Sequence, residues 1–335
     1  VICTASERVS FRLSPRCEGL AMQTKSKKTA HYQLGRLRVP DYVPGTLAAI
    51  FLLFGFPFVV QSQQSAEIRA EEVADGRYVL FGRGGNILAS LGDQGVMIVD
   101  SQFPDMVQKY QSTIRALGGG EVDFTINTHW HYDHADGNEL LGEAGSWIVA
   151  HRHSREMMMQ HNTINTVTNP IVEQAPYATA GLPVTTFDTR MEMYFNGEQV
   201  DLIHAGPAHT RGDAAVYFRD SNIIHMGDVY NNAGYPFIDA ENGGGIEGVI
   251  AFCEAILQEF NPDTVVVPGH GPVAGYADLA EYVTMLTEIR GKMMVLIGQG
   301  ASLEEVMAAN VTANWDAKKG DPTRLVNRAY YSLTR

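Results

Sequence analysis

Cysteine is scarce: the 335 residues contain three. Cys3 and Cys17 fall in an N-terminal stretch expected to be removed, which leaves Cys253 alone in an apolar, helix-like segment. No internal disulfide can form in the remainder, and a lone thiol in such a setting reads as core packing rather than chemistry. Basic charge is also short, with 25 Lys and Arg against 38 Asp and Glu for a net charge of −13. The imbalance grows beyond residue 66, because the first 66 residues are basic on balance. So acidic a body repels phosphate backbones, and no nucleic-acid partner is expected. No apolar run is long enough to span a bilayer, for which about 20 residues are needed. The longest, residues 47–60, follows Lys25, Lys27, Lys28, Arg36 and Arg38, the arrangement of a signal-peptide core behind a basic flank. Residues 1–66 are therefore expected to be leader and signal peptide, with translation starting at Met22 and the mature protein periplasmic or secreted. An uncleaved N-terminal anchor is the alternative, and the one membrane contact expected. Internal repeats and low-complexity tracts are lacking, as are Ser-His-Asp and Cys-His nucleophile patterns, which leaves any hydrolysis to a metal.

What is present points to that metal. His129-Trp130-His131-Tyr132-Asp133-His134 puts three imidazoles and a carboxylate within six residues, just after the apolar stretch 122–128. Imidazole with carboxylate is the ligand set of zinc. In an extended segment alternate side chains share a face, so His129 and His131 can reach one metal while Asp133 and His134 turn toward a second. Asp136, Gly137 and Asn138 have turn and cap chemistry and would by themselves fit an ordinary helix start. Further candidate ligands downstream decide against that reading. The strand-like 201–206 runs into His209, 223–226 into Gly227-Asp228, and the β-branched 264–267 into Pro268-Gly269-His270-Gly271. Each candidate closes an apolar strand, where loops on a rigid sheet carry function.

The order His-x-His-x-Asp-His, His-Thr, Gly-Asp, Pro-Gly-His-Gly resembles the metallo-β-lactamase-fold hydrolase superfamily, from about Ile68 to about Met294. The resemblance implies an α/β fold, a four-layer αββα sandwich with the metal site at the strand ends, and two Zn2+ per chain. It gives one zinc to His129, His131 and His209 and the other to Asp133, His134 and His270, with Asp228 bridging; Asp133 and Asp228 are the expected catalytic carboxylates. The expected reaction is hydrolysis of amide or ester bonds in a small-molecule substrate by water activated between the metals, with β-lactams the first substrate class. Aspartate at 228 departs from the cysteine or serine implied for the specialised lactamases and also suits a lactonase or a glyoxalase II-like thioesterase. A mononuclear iron dioxygenase is the alternative outside hydrolysis.

Length and a 45% hydrophobic content allow one large core,. The catalytic domain is expected over 67–295, followed by a helical extension over 296–335 whose tail, from Trp315, could pack on the domain or on a partner subunit. Leu279, Val283, Leu286, Ile289 and Met293 form one apolar helical stripe, and Ser302 with Glu305 forms a capping box,. Helices are expected over 105–117 and 247–260, and strands over 79–81, 87–91, 96–99 and 147–150. The loops 162–183 and 231–245 should shape the pocket, with Tyr235 and Phe237 as substrate-contact candidates. His151, His153, His204 and His225 are expected in structural roles, His204 and His225 inside strands, and His161 is expected on the surface. Asp213 is placed to orient the His209 turn.

Overall fold

The computed structural model describes residues 67–167 and 171–335; the leader expected over 1–66 lies outside the described residues. Strands β1 (Arg69–Ala74), β2 (Arg77–Phe81), β3 (Ile87–Gly92) and β4 (Gly95–Val99) form an antiparallel meander, to which β5 (Val122–Asn127) and β6 (Trp147–His151) add in parallel. A separate hairpin, β7 (Asn162–Ile164) with β8 (Val172–Gln174), precedes β9 (Thr185–Phe187), which completes a 7-stranded sheet beside β6. The second sheet has 6 strands in the order β10 (Arg190–Phe195), β11 (Glu198–Ile203), β12 (Ala215–Phe218), β13 (Ile223–His225), β14 (Val265–Val267) and β15 (Ala274–Gly275). β13 and β14 pair in parallel and the rest antiparallel.

Alternation along each strand makes the layers. In β4, Met97 and Val99 face the second sheet, whereas Val96 and Ile98 face α1 (Pro104–Ala116), as a two-residue period requires. Met97 and Val99 meet Val200, Leu202, Val216 and Phe218 between the sheets. Each such fully buried side chain contributes roughly 1.5–3 kcal/mol. Helix α1 starts at Pro104, where the missing N–H costs nothing, and stops before Gly118, whose φ of 95° ends the turn,. The short α2 (Tyr132–Ala135), α3 (Asn138–Glu143) and α4 (Arg152–Met158) follow strand ends of the first sheet. On the far side, α5 (Ile246–Glu259) and α6 (Tyr276–Gly298) bury Val249, Phe252, Leu279 and Met285 against Ile203, Tyr217, Ile224 and Val266. The order is helix, sheet, sheet, helix.

Of the last helices, α7 (Leu303–Ala308), α8 (Asp316–Lys319) and α9 (Thr323–Leu333), the first shares that outer core through Val306 and the third through Leu325, Val326 and Ala329, while α8 buries no residue. Helix α6 runs through residue 295 to Gly298, so the chain has no break where the extension was drawn. Ser302 and Glu305 form the capping box of α7. No helix among the described residues is long and apolar enough to cross a membrane. One strand sits earlier than its pattern suggests: β11 ends at Ile203, and His204, expected inside it, lies just past its end. The hairpin turn Asn196-Gly197, with both φ values positive, sets that register.

Candidate metal centre

The motif enters where β5 ends. Asp100, the residue after β4, accepts from Thr128 N–H at 2.8 Å and from Thr128 Oγ1 at 2.8 Å, so two neighbouring strand ends are tied together before the first histidine. His129 sits in the bend that follows β5, His131 is extended, and the single turn of α2 then presents Asp133 and His134. Backbone closes over this turn: Gly85 N–H donates to Asp133 O at 2.9 Å and Ser101 N–H to His134 O at 2.7 Å. A side chain at Gly85 would bring its first carbon 2.2 Å from Cε1 of His134; only glycine allows the loop to lie on that ring. His209 lies between β11 and β12, Asp228 follows β13 and His270 follows β14.

These residues converge. His129, His131 and His209 form one group of donor atoms mutually within 4.8 Å, His129, His134 and Asp228 a second, and Asp133, His134 and His270 a third. Asp228 lies between them, with Oδ1 3.1 Å from His134 Nε2 and 3.4 Å from His270 Nε2, and Oδ2 3.7 Å from His209 Nε2. Asp133 Oδ2 is 3.2 Å from His270 Nε2.

Hydrogen bonds away from the cluster fix which ring nitrogens face it. His131 donates from Nε2 to Asp239 at 2.9 Å, His209 from Nδ1 to the carbonyl of Phe237 at 2.8 Å, and His134 from Nδ1 to Asp100 at 2.8 Å. Carboxylate and carbonyl oxygens can only accept, so each inner nitrogen of a neutral ring carries a lone pair. Yet His131 Nδ1 stands 3.0 Å from His209 Nε2, and His134 Nε2 3.2 Å from His270 Nε2. The lone pairs of His131 Nδ1 and His209 Nε2 repel at that distance unless a proton or a cation lies between them. Burial pushes His209 down to about 4, which disfavours the proton. The buried His129 Nε2 has no hydrogen-bond partner at all. The donor set therefore fits a metal cation, and the outer partners are those that orient metal-binding imidazoles.

The two halves differ in charge. Burial, with His134, His131 and His209 nearby, holds His129 well below the usual imidazole range, so His129 is ready as a neutral ligand. At His134 burial opposes charge, but Asp228, Asp133 and Asp100 outweigh it and hold the ring well above that range. The same contest, won by Asp228 and Asp133, takes His270 up to about 10. Burial likewise works against the charge of Asp228, and His270 and His134 overcome it, keeping the carboxyl well below its ordinary value. A cation entering this half must displace protons.

Asp213 braces the His209 turn. Its carboxylate accepts from Ala208 N–H at 3.1 Å, Thr210 N–H at 2.9 Å and Thr210 Oγ1 at 2.6 Å. Asp213→Ala is expected to cost about 3 kcal/mol by leaving these buried donors unpaired, read from urea unfolding; a loss under about 1 kcal/mol would mean the turn holds without it.

A cavity of about 320 Å³ opens above the cluster, with Asp133, Asp228 and His270 in its wall beside Tyr235 and Phe237. Phe237 packs 6.2 Å from the His131 ring and 5.7 Å from the His209 ring, centroid to centroid. Tyr235 also donates to Asp316 Oδ1 at 2.9 Å, so it is pinned to α8 as well as facing the cavity. The other histidines lie elsewhere: His151 stacks on His204 at 3.9 Å, His153 bonds Glu156, His225 donates to Asn86 O and His161 is exposed. Three contributors had escaped the sequence reading. Asp100 closes an apolar strand, the same signal that marked the ligands. Asp239 and Arg324, which lines the cavity from α9, carry no local signal.

Comparison with known proteins agrees with this layout. The metallo-beta-lactamase from Pontibacter korlensis superposes with a TM-score of 0.54 at 17% identity, covering 66% of this chain and 99% of that one. The DIM-1 metallo-beta-lactamase gives 0.53 at 17% identity, covering 66% and 97%. Among characterised sequences, the 2,4-dinitroanisole O-demethylase subunit alpha of Nocardioides sp. (strain JS1661) is 26% identical over 145 residues, 42% of this chain. That match spans 40% of the relative's length. The family model of the metallo-beta-lactamase superfamily matches residues 82–282, a stretch that runs from the β2–β3 turn over Asp133 to beyond His270. With donors at the strand ends, an αββα frame around them and that match across more than half its length, the chain belongs to the metallo-beta-lactamase superfamily.

Proposed function

We propose that this chain is a dinuclear zinc hydrolase of amide or ester bonds in small molecules, with β-lactams the first substrate class to test. The observation that carries the reading is the facing of donor nitrogens His131 Nδ1 and His209 Nε2, with the unpartnered Nε2 of His129 beside them, under an open cavity. His129, His131 and His209 would hold one ion and Asp133, His134 and His270 the other, with Asp228 shared. Zinc bound there supplies a nucleophile from water near neutral pH and polarises the attacked carbonyl. The chain's own part is orientation: Asp239, Phe237 O and Asp100 fix three rings, and Phe237 with Tyr235 forms an apolar wall against which a substrate can lie.

Lactones and thioesters are the neighbouring substrate classes. A second reading rests on the O-demethylase relative and is cleavage of an aryl methyl ether at the same site. Purified full-length protein, loaded with zinc and assayed against β-lactams, lactones, thioesters and a nitroanisole, separates these, with metal analysis alongside. About two zinc per chain with turnover of an acyl substrate supports the first reading, whereas one iron with oxygen consumption would replace it with the dioxygenase. His131→Ala is expected to lower turnover more than ~100-fold, since loss even of an outer partner costs 10–100-fold; full activity in that variant would remove the assignment. Export rests on residues 47–60 and their basic flank, and fractionation with N-terminal sequencing tests it.

A further inference from the structure

The wall of the cavity above the cluster contains one basic side chain that the metal site does not use. Arg324 reaches it from α9, well beyond residue 282, where the family match ends. Its guanidinium lies 4.9 Å from the centroid of the Phe237 ring, the ring whose centroid stands 5.7 Å from that of His209. Among the described residues no hydrogen bond or ion pair engages Arg324, and the side chain is exposed to the cavity. Arg328, one turn further along α9, behaves in the opposite way. It is buried and bonds Glu241 at 2.6 Å.

That contrast matters because Glu241 belongs to the loop that carries Phe237 and Asp239. Ser332 Oγ accepts from Ile246 N–H at 3.3 Å, Arg335 donates to Gly244 O at 3.2 Å and Tyr235 donates to Asp316. The extension is thus tied to the loop at several points, and the loop holds His131 and His209 through Asp239 and Phe237 O. The helix that carries Arg324 is therefore held relative to the metal cluster, and the Phe237 ring lies against its guanidinium, which limits the ordering lost on binding. The acidic body, net −13, disfavours anions at long range. A guanidinium without a partner, against an aromatic wall, offsets this inside the cavity. A single fork of N–H donors matches a carboxylate, and one cation balances one negative charge, which favours a monoanion over a phosphate dianion.

We propose that Arg324 is a specificity-determining residue that receives a carboxylate of the substrate, so that the enzyme selects small molecules bearing a carboxylate apart from the bond it cleaves. The inference rests on the hydrolase reading in taking the metal cluster as the place where the remainder of the substrate reacts.

The test uses the full-length, zinc-loaded protein and calorimetric binding of ω-mercapto-carboxylates of increasing chain length, each beside its methyl ester. The thiol anchors both probes at the metals, and only the acid offers Arg324 a partner. At the chain length that spans the gap, the acid should bind about tenfold or more tighter than the ester, the scale of a charge-assisted hydrogen bond. Arg324→Met should remove the difference, Arg324→Glu should reverse it and Arg324→Lys should keep part of it. Ester affinity and metal content serve as the control that the site is intact. Equal binding of acid and ester by the unaltered protein, or a preference that survives Arg324→Met, would overturn the assignment. Binding of neither probe at any length would overturn the metal-site reading and the inference with it.

Discussion

Asp228→Asn is expected to lower hydrolysis by two orders of magnitude or more and to weaken the second metal more than the first. The carboxylate sits where one oxygen faces His134 and His270 and the other faces His209, so it is the one anion shared by both halves. Replacing an oxygen by an amide nitrogen removes the charge and turns a donor toward the cation, whereas loss of an outer partner alone costs about 10–100-fold. The metal-free protein offers an independent measurement. Asp228 is the largest of the charges that raise His270 to about 10. Removing that anion lowers the imidazole value, so the His270 titration followed by NMR should move downward, toward the ordinary histidine range. In the unaltered protein the ring is protonated below about pH 10, a cation must expel that proton, and affinity for the second metal should therefore rise with pH. Asp228→Cys should still hold two metals, since thiolate is a good zinc ligand, while substrate preference or rate changes. Two tightly held ions with unchanged kinetics in Asp228→Asn would show that Asp228 is no ligand.

Most of the candidate ligands were legible because they obey one rule, a donor shortly after an apolar strand, and the fold brings those strand ends to a common edge, whereas His209 stands six residues past the end of β11. His129 to His134 after β5, Asp228 after β13 and His270 after β14 are all of this kind. Helix α5, expected over 247–260 and found at Ile246–Glu259, was readable from the same local periodicity. Register was harder: 201–206 has a strand's composition, yet the turn at Asn196-Gly197 starts β11 at Glu198 and its pairing with β10 runs only to Ile203. Asp239 and Arg324 were invisible for a physical reason. One sits in a loop and the other on a helix face, and both reach the site through contacts between segments distant in the chain, such as Arg328 with Glu241. No local pattern encodes such a meeting. Asp100 falls between the cases, since it closes β4 as the ligands close their strands but bonds to a ligand instead of joining the cluster.

For that reason Asp100→Ala is the more telling substitution at the periphery of the site. The carboxylate is fully buried and accepts from Thr128 N–H, Thr128 Oγ1 and His134 Nδ1, all at 2.8 Å. Alanine leaves all three donors unpaired, and breaking a buried network of this type costs about 3–5 kcal/mol. It also meets a backbone with φ of 68°, a conformation that Asp and Asn tolerate better than Ala, by roughly 1 kcal/mol. Freed of its partner, His134 can rotate, and affinity for the metal it helps to hold should fall about 10–100-fold. Asp100→Asn separates the two effects. Asparagine keeps the shape, the backbone preference and the acceptor oxygen for Thr128 N–H, so part of the stability should return. It lacks the second carboxylate oxygen that Thr128 Oγ1 and His134 share, and metal affinity should stay low. Urea unfolding and metal titration of both variants would show the split. If Asp100→Ala unfolds at the same urea concentration and binds metal as tightly as the unaltered protein, His134 is held by the Gly85 and Ser101 backbone contacts alone, and Asp100 orders only the end of β5.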